Sequence, residues 1–289
     1  MSGPLSGIKI IDLSSVISGP VATVLLADQG ADVIKVEPPG IGDLARFMGA
    51  TKSGIGAMFT VLNRNKKCIC LDLKNTDDFE VLQALIKETD VLIENYRPGI
   101  VKKLGIDYDS AVKINPEIIY CSISGYGQSG PYKERKVYDP LIQATVGTAT
   151  AQSPSNPNFF RTIVFDKVTA LTAAQSITSA LLQKERIGKG QYIPISMMDS
   201  ALYYSWPDMM INQTFLEGGE SIGELADYFS VYKTNDGFIT IILAASDEIF
   251  NLFCEYFKVD LHKDERFSNA AARVKNKDDL TAEINKITQ

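Results

Sequence analysis

Apolar positions follow two rhythms along this chain: short continuous runs bounded by turn residues, and longer stretches where apolar and small side chains recur every three or four positions. Residues 8–13 (IKIIDL) predict a buried strand. In the SGPVATVLLADQG that comes next, Pro20 suits the first turn of a helix and Gly30 its exit. Residues 31–37 (ADVIKVE) read as a second strand, which completes a βαβ unit. The pattern then repeats. Residues 68–73 (CICLDL) are strand-like, and Asn75 or Thr76 caps a helix running to about Glu88 with Asp77 and Asp78 in its first turn. Residues 90–96 (DVLIENY) form another strand, a short helix comes after Pro98, and residues 118–124 (IIYCSIS) form a further strand. The predicted fold class is α/β, an open and mostly parallel Rossmann-like sheet with helices on both faces.

The stretch at 161–190 predicts a long helix. Val168, Leu171, Ala174, Ile177, Ala180 and Leu181 keep helical spacing, Lys184 and Arg186 make a basic last turn, and Gly188 stops it. Asp166 is expected at or just before the helix start, where free N–H groups and the dipole favour its ionised form. Such a carboxylate can attack an activated acyl group, or it can serve only as the helix cap. A strand at 191–197 and an apolar helix from Met198 to about Phe215 come next. After Gly218-Gly219 the texture changes. A hairpin at 229–243 turns at Asn235-Asp236-Gly237, and an amphipathic helix at 246–257 is expected to face Ile249, Phe250, Phe253 and Phe257 to a core. Residues 1–217 are therefore read as a large domain and 218–289 as a smaller α+β unit, which ends without an obvious cap or closing strand.

Composition narrows the function. The 289 residues carry a formal charge of -6, so no broad basic face is implied and a general nucleic-acid binder is not expected. The apolar runs are too short to span a bilayer and the amino terminus lacks a signal-peptide pattern, so an intracellular, cytoplasmic protein with no membrane contact is expected. Cys68, Cys70, Cys121 and Cys254 show no CxxC spacing and are read as buried thiols, with no metal expected. His262, the single histidine, falls in a polar loop and is read as a surface residue. Gly125 to Gly130 spell GYGQSG, but they succeed a late strand and precede Pro131, while the first βα loop offers only SSVISGP. No nicotinamide cofactor is expected.

Several segments, in this order, make a more specific pattern: PLSGIKIIDLSSVISGP, LLADQGADVIKVEPPGIGD, NRNKKCICLDLK, DVLIENYRPG, LGIDYDSAVKINPEIIYCSISGYGQSGPY, YDPLIQATVG, the FD at Asp166, and GKGQYIPISMMDSAL. Together they resemble the class III CoA-transferases, a family whose divergent branch includes acyl-CoA racemases. The resemblance implies acyl-CoA and small carboxylic acids as substrates. It also implies Asp166 as the nucleophile that forms an aspartyl anhydride and then an aspartyl-CoA thioester. It implies coenzyme A contacts at Lys74, at Asn95, Tyr96 and Arg97, at Lys103 and Leu104, at Lys136, and at the main chain of Val16. Tyr138 matches an active-site tyrosine of the transferases at a position where the racemases carry histidine, and Asp139 is read as a cap of the helix immediately after it. Ile17, Met58 and Pro38 replace a glutamine, a tyrosine and an arginine of formyl-CoA transferase. The resemblance further implies a homodimer, interlocked when the family's carboxyl-terminal return is present; this chain ends about where that return begins. Two alternatives are a catalytically silent CoA-binding or scaffold paralogue and an acyl-CoA racemase.

Overall fold

The first unit is built on a six-stranded sheet: β1 (Lys9–Asp12), β2 (Asp32–Glu37), β3 (Lys66–Cys70), β4 (Val91–Glu94), β5 (Ile119–Ser124) and β6 (Tyr192–Ser196). They are hydrogen-bonded in the order β3-β2-β1-β4-β5-β6, and every neighbouring pair is parallel. This is the doubly wound arrangement the alternating pattern predicts. The order reverses between β1 and β4, which opens a crevice beyond their carboxyl ends. The computed structural model describes residues 3–219 and 224–289.

Five helices pack on this sheet or border its crevice: α1 (Ser18–Asp28), α2 (Thr76–Lys87), α3 (Tyr108–Ile114), α4 (Asp139–Thr145) and α5 (Val164–Ile187). Alternation along the strands decides which helix meets which face. Ile10, Val91 and Ile119 pack with Ala22 and Leu26 of α1 and Ala173 and Ile177 of α5. Their neighbours Ile11, Leu92 and Tyr120 pack on the opposite face with Leu82 and Ile86 of α2 and Ala111 of α3. Small residues at 170, 173, 174 and 180 let α5 approach the sheet closely.

Several expectations need correction. The long helix starts at Val164, a turn ahead of the periodic residues, so Asp166 lies inside its first turn. Cys68 and Cys70 are exposed because β3 is the edge strand, whereas Cys121 and Cys254 are buried as expected. The apolar helix beginning at Met197 ends at Met209, short of Phe215, and contains Pro207. Gly125 to Gly130 continue as turns, and the next helix is α4. Gly125 itself is required sterically: a Cβ there would lie 1.9 Å from a Val137 methyl.

Contacts divide the chain into Met1–Tyr204 and Ser205–Gln289, earlier than the expected boundary at 217/218. Within the second unit, Val231–Lys233 and Phe238–Thr240 form the antiparallel hairpin. Its core gathers Tyr232, Leu243, Phe250, Phe253, Phe267, Leu280 and Ile284. Of the four residues expected to face that core from helix Asp247–Phe257, Ile249 and Phe257 stay largely exposed. His262 is exposed. Arg273 is buried and donates to Asp247 Oδ1 at 2.5 Å and to the carbonyl of Phe267 at 3.1 Å. Among the described residues, no helix is long and apolar enough to cross a membrane.

The first unit also buries charge. At the end of β1, the Asp12 carboxylate accepts from Ser14 N at 2.9 Å, Thr23 Oγ1 at 2.6 Å and Lys66 Nζ at 3.0 Å. Both ionic side chains are fully buried. Burial alone would raise the Asp12 carboxyl, but Lys66 and Lys35 hold it far below the usual carboxylate range. Lys66 completes its shell on the carbonyl of Pro20 at 2.9 Å and Asn63 Oδ1 at 2.8 Å, so the pair ties β1, β3 and the start of α1 together. Removing one partner strands the other charge out of water. Lys66→Met is expected to lower unfolding free energy by about 3–5 kcal/mol in urea denaturation, with most of the loss recovered in Asp12→Asn/Lys66→Met.

Candidate active site

Asp166 is the third residue of α5 and is half-buried. The backbone N–H groups at this helix start need acceptors, and its N-cap residue Ile163 supplies no side-chain bond. Asp139 supplies it from another helix. Its Oδ2 accepts from Phe165 N at 2.5 Å and from Asp166 N at 3.2 Å, so Asp139 caps α5 rather than the helix it begins. Asp139 is itself fixed: Gln143 Nε2 donates to its Oδ1, while Gln143 Oε1 accepts from Phe160 N at 2.8 Å. Both Asp139 and Gln143 are buried. The cap therefore holds the backbone of Asp166 and leaves its side chain free to point elsewhere.

That side chain meets the start of α1. Ser18, the first residue of α1, presents its hydroxyl and its backbone N–H to the Asp166 carboxyl, and α1 has no side-chain cap of its own. Two opposing effects set the charge. Burial and the nearby Asp139 carboxylate push the Asp166 pKa up to about 6, while Ser18 and Lys167 pull it down. The expectation that the helix start simply favours the ionised form is thus corrected: desolvation wins, and the group is an ionised but basic carboxylate at neutral pH.

The loop between β1 and α1 is bonded from every side. Ser14 O accepts from Lys35 Nζ at 2.8 Å. Asn95, just past β4, uses its whole amide on Ser15, accepting from Ser15 N at 2.9 Å and donating to Ser15 O at 2.8 Å. Val16 N donates to both Asp43 oxygens, at 3.0 and 3.2 Å. Asp43 pairs with Lys35 at 2.9 Å, both side chains buried, and its own N–H donates to Glu37 Oε2 at 2.9 Å. Glu37 in turn accepts two bonds of 2.7 Å from Arg46. Val16 has φ 69°, a left-handed conformation that costs a β-branched residue about 1–3 kcal/mol. Gly19 allows the loop to fold back, since a Cβ there would lie 2.1 Å from the Ser14 side chain.

The other residues expected to contact coenzyme A also come after strand ends. Lys74 is exposed in the turn between β3 and α2. Tyr96 is half-buried and Arg97 exposed after β4, and Lys103 and Leu104 lie in the short helix Ile100–Leu104. Lys136 and Tyr138 are exposed on the segment leading to α4, with the Tyr138 side chain 70% accessible. Val16 and Asn95 are thus bonded into the loop beside Asp166, while Tyr138 is exposed and only its sequence neighbour Asp139 bonds to the Asp166 backbone. A cavity of about 360 Å³ opens beside the ends of β2 and β3, lined by Pro38, Arg46, Cys68 and Cys70 among others. Among the described residues, no three His, Cys, Asp or Glu side chains are grouped to hold a metal ion.

Sequence reasoning missed Ser18, Gln143 and Asp43. Ser18 and Asp43 act on residues remote in sequence, where no local pattern marks the bond; Gln143 meets Asp139 at i,i+4 spacing, but the role of that pair shows only through the distant backbone both then hold. Glu94 was missed too: it is buried at the end of β4, its pKa pushed up to about 7 by burial against the bonds it accepts from Ser122 and Tyr96 N.

Asp166 titrates near 3.8 in an unfolded chain and about 6 in the fold. Between these values the folded state keeps a proton the unfolded state has lost, so stability falls as pH rises through the window. Asp166→Asn is expected to unfold at higher denaturant than the parent at pH 8, by roughly 1–3 kcal/mol, with the difference shrinking below about pH 4. Asp139→Asn is expected to move the Asp166 titration, followed by NMR, toward the ordinary carboxylate range.

The profile of CoA-transferase family III matches residues 5–289. Acetyl-CoA:oxalate CoA-transferase of Acetobacter aceti is 35% identical over 98% of this chain and 75% of its own length. Succinyl-CoA:glutarate CoA-transferase of Homo sapiens is 35% identical over 96% of this chain, which spans 65% of that relative. The crystal structure of a CAIB/BAIF family protein from Brucella suis superposes with a TM-score of 0.87 at 34% identity, covering all of this chain and 79% of the other. With the family profile matched over nearly its whole length, this chain belongs to CoA-transferase family III.

Proposed function

We propose that the protein moves coenzyme A from an acyl-CoA donor to a carboxylic acid acceptor, with Asp166 as the covalent carrier. The observation that supports this most is the environment of that carboxyl: partly desolvated, raised to about 6, held by Asp139 through its backbone, and opposite the amino end of α1. A carboxylate of that kind is ionised near neutral pH, yet more basic than an exposed one, which suits nucleophilic attack.

In the first step an Asp166 oxygen bonds to the thioester carbon, the C–S bond breaks, and CoA leaves as the thiolate. The thiolate then attacks the Asp166 acyl carbon of the anhydride, expels the donor acid as its carboxylate, and leaves an aspartyl-CoA thioester. The acceptor carboxylate attacks that thioester and displaces the thiolate again. Return of the thiolate to the acceptor carbonyl forms the new acyl-CoA and frees Asp166. Each step exchanges one activated acyl bond for another, so no nucleotide hydrolysis is needed. Oxyanions formed on the way are assigned to the amino end of α1, which has no side-chain cap and where the dipole favours negative charge.

The coenzyme is assigned to the carboxyl ends of the strands, with Val16, Lys74, Asn95, Tyr96, Arg97, Lys103, Leu104 and Lys136 as its contacts and Tyr138 beside the reacting acids. Several of these come after strands flanking the switch point, which is where ligands of doubly wound sheets bind. The names of the relatives suggest dicarboxylates as candidate acids. Assembly as a homodimer is part of the same reading, supported by the exposed Leu171 and Leu182, eleven positions apart on one face of α5.

Incubation with succinyl-CoA, followed by peptide mass spectrometry, is expected to give a hydroxylamine-sensitive adduct on Asp166 that is absent in Asp166→Ala. Retained CoA binding with no adduct would instead support a silent paralogue. Exchange of the α-proton of an acyl-CoA with solvent deuterium, with no acceptor acid present, would support a racemase.

A further inference from the structure

The loop between β1 and α1 holds a strained residue against a buried ion pair. Val16 is β-branched, and left-handed backbone is unfavourable for it unless the surroundings impose that conformation. Local sequence offers nothing that would do so. The restraint comes from Asp43, whose carboxylate is pinned by Lys35, by Ala45 N at 2.9 Å and, through its own N–H, by Glu37. Its two oxygens both receive the Val16 N–H. Two residues further on, Ser18 opens α1 and faces the Asp166 carboxyl. A loop released at Val16 would swing the very groups that orient that carboxyl.

We propose that Asp43 is a positioning residue for the reaction: by bonding the Val16 amide it holds the loop in a left-handed turn that presents Ser18 and the start of α1 to Asp166. The proposal rests on the reading of Asp166 as the reacting group. Asp43 touches no reacting atom. The Lys35–Asp43 pair is buried beneath the loop, and its charge is retained because the anion must accept a main-chain donor at a place where no strand or helix can satisfy it.

Three variants of the purified chain test this, assayed with succinyl-CoA as donor and oxalate or glutarate as acceptor. Asp43→Asn weakens the restraint and is expected to lower kcat about tenfold or more while KM for the thioester changes less than about threefold. Val16→Gly removes the Cβ that makes the left-handed turn unfavourable, so in a Val16→Gly background the same Asp43→Asn change is expected to cost less than about threefold. Val16→Pro leaves Asp43 and Lys35 untouched, but removes the N–H and forces φ to about −65°, and it is expected to lower kcat at least as far as Asp43→Asn. The Asp166 carboxyl, followed by carbon-13 NMR and assigned by its loss in Asp166→Asn, is expected to titrate higher in Asp43→Asn and Val16→Pro and to return in the double variant. An equal loss in both backgrounds, a Val16→Pro protein with kcat within about threefold and an unmoved Asp166 titration, or a change confined to KM would each overturn the proposal. Should the parent neither transfer CoA nor form the aspartyl adduct, the proposed function fails by itself. The NMR titration still decides the role of Asp43, and should Asp43→Asn not fold, Asp43→Glu, which keeps a charge for Lys35 but displaces the acceptor from the Val16 amide, is read in the same two assays with the same expected losses.

Discussion

At the carboxyl ends of β1 and β2, positive and negative side chains alternate: Lys66 on Asp12 and Lys35 on Asp43, both pairs buried, and the partly exposed Arg46 on Glu37. The site depends on this alternation. A parallel sheet leaves the groups beyond its strand ends without ladder partners, and the loops that fill this space must find acceptors and donors elsewhere. Here the buried pairs supply them, giving the Ser14 carbonyl to Lys35, the Ser14 amide to Asp12 and the Val16 amide to Asp43. Such pairs contribute less to stability than their Coulomb attraction suggests, because each ion gave up water. Their consequence is geometric: one conformation of the first loop satisfies every charge beneath it.

Two helix starts are coupled across the site. α5 is capped by Asp139 from α4, and the carboxyl that could have capped α5 is instead turned to the start of α1. The exchange sets the charge environment of Asp166. A carboxylate bonded to its own helix N–H groups would be stabilised and passive. With Asp139 in that place, Asp166 acquires a like charge for a neighbour and loses water, and its pKa rises to about 6. The buried Gln143 keeps Asp139 from turning away.

The sheet and its two helical layers were legible because they rest on periodicity. The strand runs alternate apolar neighbours such as Ile10 and Ile11 or Val91 and Leu92, and the structure sends these to opposite faces. Where the pattern misled, a tertiary fact overrode it. Cys68 and Cys70 lie in an apolar run yet are exposed, because β3 fell at the sheet edge and no run of residues announces its position in a sheet. Phe257 and Ile249 continue an amphipathic stripe that the core of their own unit does not fully cover.

The sequence by itself determined the α/β class, the order of the sheet strands, the helices at 18–28, 76–87 and 164–187, and the segments that match CoA-transferase family III, with Asp166 among them; the helices at 57–62 and 108–114 it did not mark. What it determined rests on local spacing and residue identity, which each stretch of chain carries with it. The tertiary structure alone decided that Asp139 caps a helix more than twenty residues away, that Ser18 faces Asp166, and that a buried Asp43 holds Val16 left-handed. The physical reason is that a side chain's charge and bonding are set by whichever groups share its desolvated space, and those come from elements brought together only when the sheet and its helices assemble.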